Sequence, residues 1–317
     1  MAQYFMDMGR IIGKMIDRVT YSSRIVAAVL LVCCMAVGYS SCSSDNADID
    51  PDLINRNAND SGKGAEATLI EMPRLKSGVA NMLLVKKLPN GNVNFCIEWD
   101  IAKKAQRWTA FRWDTSYKDD NIGRTEAWSE DFDIPEYYRT NQSFYSGSGY
   151  TRGHIIASED RQQLPLESNR QTFLYSNMQP QYYNFNGGIW LELEKKVRSW
   201  NTNSLRDTLY VCKGGTIDHS SDILETTSTG LLVPKYFFVA VLCKNQSAIN
   251  NGYKAIGFYL EHKQEHYSDE KNLKPYIVSI DRLEELTGLD FFCNLPDPLE
   301  SQVESAGREE IVRSWGL

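Results

Sequence analysis

Between residues 149 and 200 the sequence gathers most of the side chains that could carry chemistry. It reads Thr151-Arg152-Gly153-His154, then Ser176-Asn177-Met178-Gln179-Pro180-Gln181, then Asn184-Phe185-Asn186-Gly187-Gly188-Ile189-Trp190, with Glu194 beyond. An imidazole titrates near neutral pH and can take up a proton under working conditions. A guanidinium neutralises developing negative charge, and a side-chain amide offers a neutral oxygen acceptor. Taken singly, the same residues have blander uses. Asn186 could be a helix cap or turn residue, Glu194 the i,i+4 partner of Arg198, and Lys195-Lys196 a solvated helix face. His219, His262 and His266 have no motif around them and read as surface or satisfied core histidines.

The three blocks in this order resemble the DNA/RNA non-specific endonuclease family, the endonuclease-G-like branch of the ββα-metal nucleases. That family's signature is D-R-G-H, then N-x-x-P-Q, then N-x-x-x-W with a glutamate four residues after the tryptophan; the latter spacings hold here without a gap. Residues 233–238 and 283–296 also resemble the family's later strands and its C-terminal helix and tail, so the likeness spans residues 78–298. The fold it implies is α+β, a ββα-metal (His-Me finger) nuclease domain with a central, largely antiparallel sheet flanked by helices.

The activity implied by the resemblance is hydrolysis of phosphodiester bonds in DNA and RNA without strong sequence preference, using Mg2+ and leaving 5′-phosphates. With one neutral protein ligand the ion should be weakly held and Mn2+ should substitute for it. Carried over by motif, His154 is the general base that takes a proton from the attacking water and Asn186 is the direct metal ligand. Arg152 neutralises charge on the transferring phosphoryl group, Glu194 holds a metal-bound water, and Asn177 orders the polar network. Arg124 matches an upstream arginine that contacts phosphate. Thr151 stands where the family has aspartate, so whatever that carboxylate does must be done otherwise. This departure motivates the alternative of a catalytically impaired member that binds nucleic acid or a protein partner.

The elements that must position these residues can also be read. Residues 81–87, 93–101, 108–113, 209–213, 236–243, 255–260 and 276–280 are strand-length runs, alternating or fully apolar, bounded by turn residues. Pro89-Asn90-Gly91-Asn92 between the first two signals a hairpin, because Asn-Gly supplies positive φ cheaply. Gly187-Gly188 opens an amphipathic helix in which Ile189, Leu193, Val197 and Trp200 share a face. A second helix, 281–287, is expected to end at Gly288. Trp190, Trp200 and Tyr182-Tyr183 read as core or scaffold aromatics before base-stacking ones.

With 317 residues and 42% hydrophobic content, the chain is long enough for a large core. Its net charge of −7 argues against a protein that coats nucleic acid and is compatible with an enzyme that needs only a local basic cleft. The N-terminus reads as an export signal over residues 1–41. Arg10, Lys14, Arg18 and Arg24 precede the apolar run 25–38, and Tyr39-Ser40-Ser41-Cys42 resembles the lipobox of bacterial lipoproteins. That resemblance would lipidate Cys42 and anchor the exported chain to a cell-envelope membrane. Residues 42–78, rich in Ser, Asn, Asp and Gly, read as a polar tether, and 79–317 as the nuclease domain. Four cysteines follow, Cys96, Cys212, Cys243 and Cys293; one or two disulfides in any of three pairings fit, and Cys96, Cys212 and Cys243 read equally well as plain buried thiols in strands.

Overall fold

The computed structural model describes residues 54–245, 252–264 and 272–317. The expected signal peptide, Cys42, the first part of the tether and His266 lie outside the described residues. The strands are β1 (Met82–Lys87), β2 (Val93–Asp100), β3 (Ala105–Trp113), β4 (Thr151–His154), β5 (Met178–Gln181), β6 (Thr208–Gly215), β7 (Ile223–Thr226), β8 (Leu232–Pro234), β9 (Tyr236–Lys244), β10 (Tyr253–Glu261) and β11 (Ile277–Val278). Seven of them form one sheet in the order β1-β2-β3-β6-β9-β10-β11, every neighbouring pair antiparallel. β4 pairs with β5 and β7 with β8 in two separate ribbons.

Side chains alternate across a strand, and β9 shows what each face packs against. Phe237, Val239, Val241 and Cys243 join one core, with Ile155, Ile156, Phe185, Trp190 and Leu193. Phe238, Ala240 and Leu242 join the other, with Ile280, Leu283, Phe291 and Val303. A strand covered on both faces has no wet side, which is why β9 reads as a continuous apolar run. Each large side chain so buried contributes roughly 1.5–3 kcal/mol. Helices therefore lie on both faces: Leu191–Ser199 and Arg308–Trp315 on the first, Ile280–Thr287 and Asp297–Glu304 on the second.

The expected hairpin is present, with Gly91 at φ 85° and the Leu88 N–H donating to the Asn92 carbonyl over 2.8 Å. The helix after β11 ends as expected, Gly288 taking the left-handed C′ position at φ 68°. The tether needs correction. From Ile54 on, this stretch is docked on the domain, with Ala67 and Met72 fully buried. Asn55 Nδ2 donates to the carbonyls of Cys293 and Leu295, and Asn59 Nδ2 to that of Pro73. Its asparagines, which composition reads as solvated, are used as backbone clamps, so the folded unit begins before residue 79. Cys96, Cys212, Cys243 and Cys293 are all free and buried, which settles the open choice in favour of small hydrophobic thiols.

Candidate active site

Two four-residue strands and a broken helix build the site. In the β4–β5 ribbon Thr151 pairs with Gln181, Arg152 with Pro180, Gly153 with Gln179 and His154 with Met178. Neither strand has an apolar alternation, and neither was legible as a strand. Gly153 is required because a Cβ there would lie 2.3 Å from the Gln181 side chain, which is wholly buried. Gln179 fastens the ribbon to the main sheet: its Nε2 donates to the Gln106 carbonyl, and its Oε1 accepts from the Gly215 N–H at 2.6 Å.

Asn177 holds the other end of the ribbon. Its Oδ1 accepts from the Ile156 N–H, and its Nδ2 donates to the carbonyls of Ile156 and Thr172. The side chain is 0% exposed with its amide used up on backbone, so it fixes the chain leaving His154 without touching a substrate.

Beyond β5, a short turn (Tyr183–Phe185) leads into a π-turn over Asn186–Trp190, and the α-helix Leu191–Ser199 follows. Gly188 leaves helical dihedrals (φ −110°, ψ −111°), so Asn186 and Glu194 are not two turns apart on one straight axis. Such bulges occur frequently at functional sites. His262 braces the approach. Its Nε2 accepts from the Tyr182 N–H at 2.8 Å, and its Nδ1 lies 2.9 Å from the Pro234 carbonyl. It is the satisfied core histidine expected of it, and His219 is exposed.

Thr151 and Asn186 touch. Asn186 Nδ2 donates to Thr151 Oγ1 at 3.0 Å, while Thr151 Oγ1 itself donates to the Gln181 carbonyl at 2.9 Å. A hydroxyl has one donor and two acceptor sites, so this threonine takes the amide's NH2 and leaves Asn186 Oδ1 as the atom available to a ligand.

His154 is 9% exposed, flanked edge-on by Trp128 and Phe173 at 5.3 and 5.0 Å between ring centroids. Burial first, then the charges of Arg124 and Arg152, push its pKa down to about 3, against a hydrogen bond with the Arg152 backbone. Its Nε2 has no hydrogen-bond partner. The ring is therefore neutral, with a free lone pair on that nitrogen. Arg152 lies over Trp128, its Cζ 3.7 Å from the ring centroid, and donates to Gln142 Oε1 at 2.8 Å. Arg124 reaches the same place, its guanidinium over Phe173 at 4.9 Å and donating to Ser158 Oγ. The structure thus brings Arg124, Arg152 and His154 together, with Asn186 against the start of the same strand. Trp128, Phe173 and Gln142 complete the group without any sequence signal beyond the aromatic character of the first two.

The same helix takes part in a buried charge network. Lys213 Nζ, from β6, sits 3.1 Å from Asp160 Oδ2, and Arg198 Nε sits 2.9 Å from Asp160 Oδ1. Burial disfavours the ionised Asp160, yet Lys213 and Arg198 hold its carboxyl below the usual range. Glu194 takes the opposite course: burial, only partly offset by Lys213 at 4.0 Å, pushes it up to about 8. Its Oε1 is buried without a hydrogen-bond partner. Asp160 and Lys213 had no sequence signal, because isolated charged residues read as surface. Trp190 and Trp200 are core residues at 1% and 5% exposure, whereas Tyr183 is 79% exposed.

A family model described as DNA/RNA non-specific endonuclease matches residues 88–298. A nuclease of Nostoc sp. is 28% identical over 71% of this chain and 78% of its own. The mitochondrial nuclease EXOG of Mus musculus is 26% identical over 64% of this chain and 56% of its own, and endonuclease G of Homo sapiens is 28% identical over 52% and 56%. The chain thus spans little more than half the length of these mitochondrial relatives. A crystal structure of an EndoG/EndoGI complex aligns with a TM-score of 0.54 and 19% identity, over 72% of this chain and 89% of that one. That likeness concerns the fold alone.

Proposed function

The chain belongs to the DNA/RNA non-specific endonuclease family, and on that premise we propose that it hydrolyses phosphodiester bonds in DNA and RNA with His154 as general base. The observation that carries this reading is His154 itself, its Nε2 unpartnered and its ring in the field of Arg124 and Arg152. Nε2 accepts the proton of the attacking water. Arg152 and Arg124 balance the charge that builds on the phosphoryl oxygens, which are better partners for a guanidinium than the face of Trp128. Arg152 therefore exchanges its stack on Trp128 for the substrate.

The residues fit a hard divalent cation. The donors are oxygens only: Asn186 Oδ1, with its NH2 committed to Thr151, and the Glu194 carboxylate with its unpartnered Oε1. Mg2+ suits such a set because it keeps much of its hydration. Asn186 would hold the ion directly and Glu194 its hydration, and the ion when bound supplies Lewis-acid stabilisation of the leaving oxygen. Thr151 motivated the reading of an impaired binder; its hydrogen bond to Asn186 argues against that, since it orients the amide without a carboxylate. Cleavage on the 3′-oxygen side is expected to leave 5′-phosphate ends. Products that polynucleotide kinase labels only after phosphatase treatment are the expected result, and direct labelling would contradict it.

The raised pKa of Glu194 has a signed consequence. Its carboxylate is the useful form, so at subsaturating Mg2+ the rate should climb with pH on the acid side of about 8. His154, whose pKa is pushed down to about 3, contributes nothing to that climb near neutrality. In Glu194→Gln cleavage should be slower and flat over the same window. A pH–rate profile with the wild-type slope in Glu194→Gln would assign the limb to another group.

A further inference from the structure

On the opposite face of the sheet from the ribbon, three carboxylates converge where two helices meet. Asp281 and Glu284 are one turn apart on the Ile280–Thr287 helix, and Glu304 ends the Asp297–Glu304 helix packed beside it. Each offers one carboxylate oxygen, and these oxygens all lie within 4.8 Å of one another. Glu304 is only 6% exposed, and its Oε1 is buried with no hydrogen-bond partner. Glu284 spends Oε1 on the Phe291 N–H at 2.7 Å. Among the described residues no basic side chain is paired with any of the three; Arg282, the nearest in sequence, pairs with Glu285.

A buried carboxylate without a cation or donor is costly, and it is relieved by a proton or by a cation. Burial and then the mutual repulsion of Glu284, Glu300, Asp281 and Asp290 hold the Glu304 carboxyl well above the ordinary range, and burial does the same to Glu284. A proton shared between Glu304 and a neighbouring carboxylate would relieve one charge and leave the other carboxylates converging. A cation satisfies the charge and the lone pair together.

We propose that Asp281, Glu284 and Glu304 form a binding site for a divalent cation of the calcium class, which ties the Asp297–Glu304 helix to the Ile280–Thr287 helix. The donor set is entirely hard oxygen. Oxygens within 4.8 Å of one another can share one ion, and Ca2+ accepts an irregular shell of carboxylates, whereas Mg2+ demands near-octahedral geometry and keeps several of its waters. The site does not depend on the nuclease reading and shares no residue with it.

The test is thermal unfolding of the full chain carrying Asn186→Ala, which removes the ligand beside the ribbon, with and without CaCl2. Ca2+ at about a hundred times its dissociation constant should raise Tm by roughly 5 °C or more, and adding Glu304→Gln should abolish that rise. In chelator the Glu304→Gln protein should melt above its parent, since a buried unpaired carboxyl has been replaced by a neutral amide; this also certifies that the variant folds. An equal rise in both proteins, or no rise in either at millimolar CaCl2, overturns the site.

Discussion

Replacing His154 by alanine is expected to lower cleavage of both DNA and RNA by about 10²–10⁴-fold, the usual contribution of one positioned general base. The basis is geometric. The ring is fixed by Trp128 and Phe173, its Nε2 is unpartnered, and burial beside Arg124 and Arg152 keeps it neutral. Alanine also removes packing, so His154→Gln, which keeps bulk and polarity without a basic nitrogen, should lose a comparable factor while its melting temperature stays near wild type. Single-turnover cleavage at saturating Mg2+ separates the two effects. A His154→Gln protein retaining more than about a tenth of the wild-type rate would remove His154 from the role of base.

The second large effect is on stability. Asp160→Ala should destabilise the fold by about 3–5 kcal/mol, because it leaves Lys213, 1% exposed, in the interior with only Glu194 at 4.0 Å to balance it. The loss also frees Arg198, and with it the helix that carries Glu194. Urea unfolding measures the loss. Asp160→Ala combined with Lys213→Met should recover much of it, because the uncompensated charge is then gone; coupling of this kind between contacting residues reaches about 0.5–3 kcal/mol. A single variant that costs under about 1 kcal/mol, or a double variant no more stable than the single, would show that the network does not support the helix.

The large sheet was legible because burial on one or both faces leaves a period-two or continuous apolar record. β9 is the clearest case, its alternate side chains divided between two cores. The ribbon that carries the chemistry left no such record. Thr151–His154 and Met178–Gln181 are four residues each, mostly polar, and held by side-chain clamps from Asn177 and Gln179 in place of apolar patterning. They were found through residue identity and spacing. The break at Gly188 was foreshadowed by the Gly187-Gly188 pair, whereas the Asp160–Lys213–Arg198 network was invisible because its members are 53 and 38 residues apart in sequence. The docking of the segment from Ile54 is hidden for a related reason: composition cannot tell an asparagine that hydrates from one that caps a carbonyl.

Thr151 departs from the family's aspartate, and its bond to Asn186 joins it to the candidate site. The amide of Asn186 needs one fixed partner for its NH2, and a threonine hydroxyl anchored on the Gln181 carbonyl supplies it. In this chain a hydroxyl, not a carboxylate, fixes the Asn186 side chain.

The central claim is metal-dependent cleavage of both nucleic acids, and the most direct measurement is digestion of supercoiled plasmid and of single-stranded RNA by the purified chain, in Mg2+ and in excess EDTA. Both substrates should be cut in Mg2+ and both should survive in EDTA. Intact plasmid and RNA in Mg2+, or cutting that persists after exhaustive chelation, would contradict it.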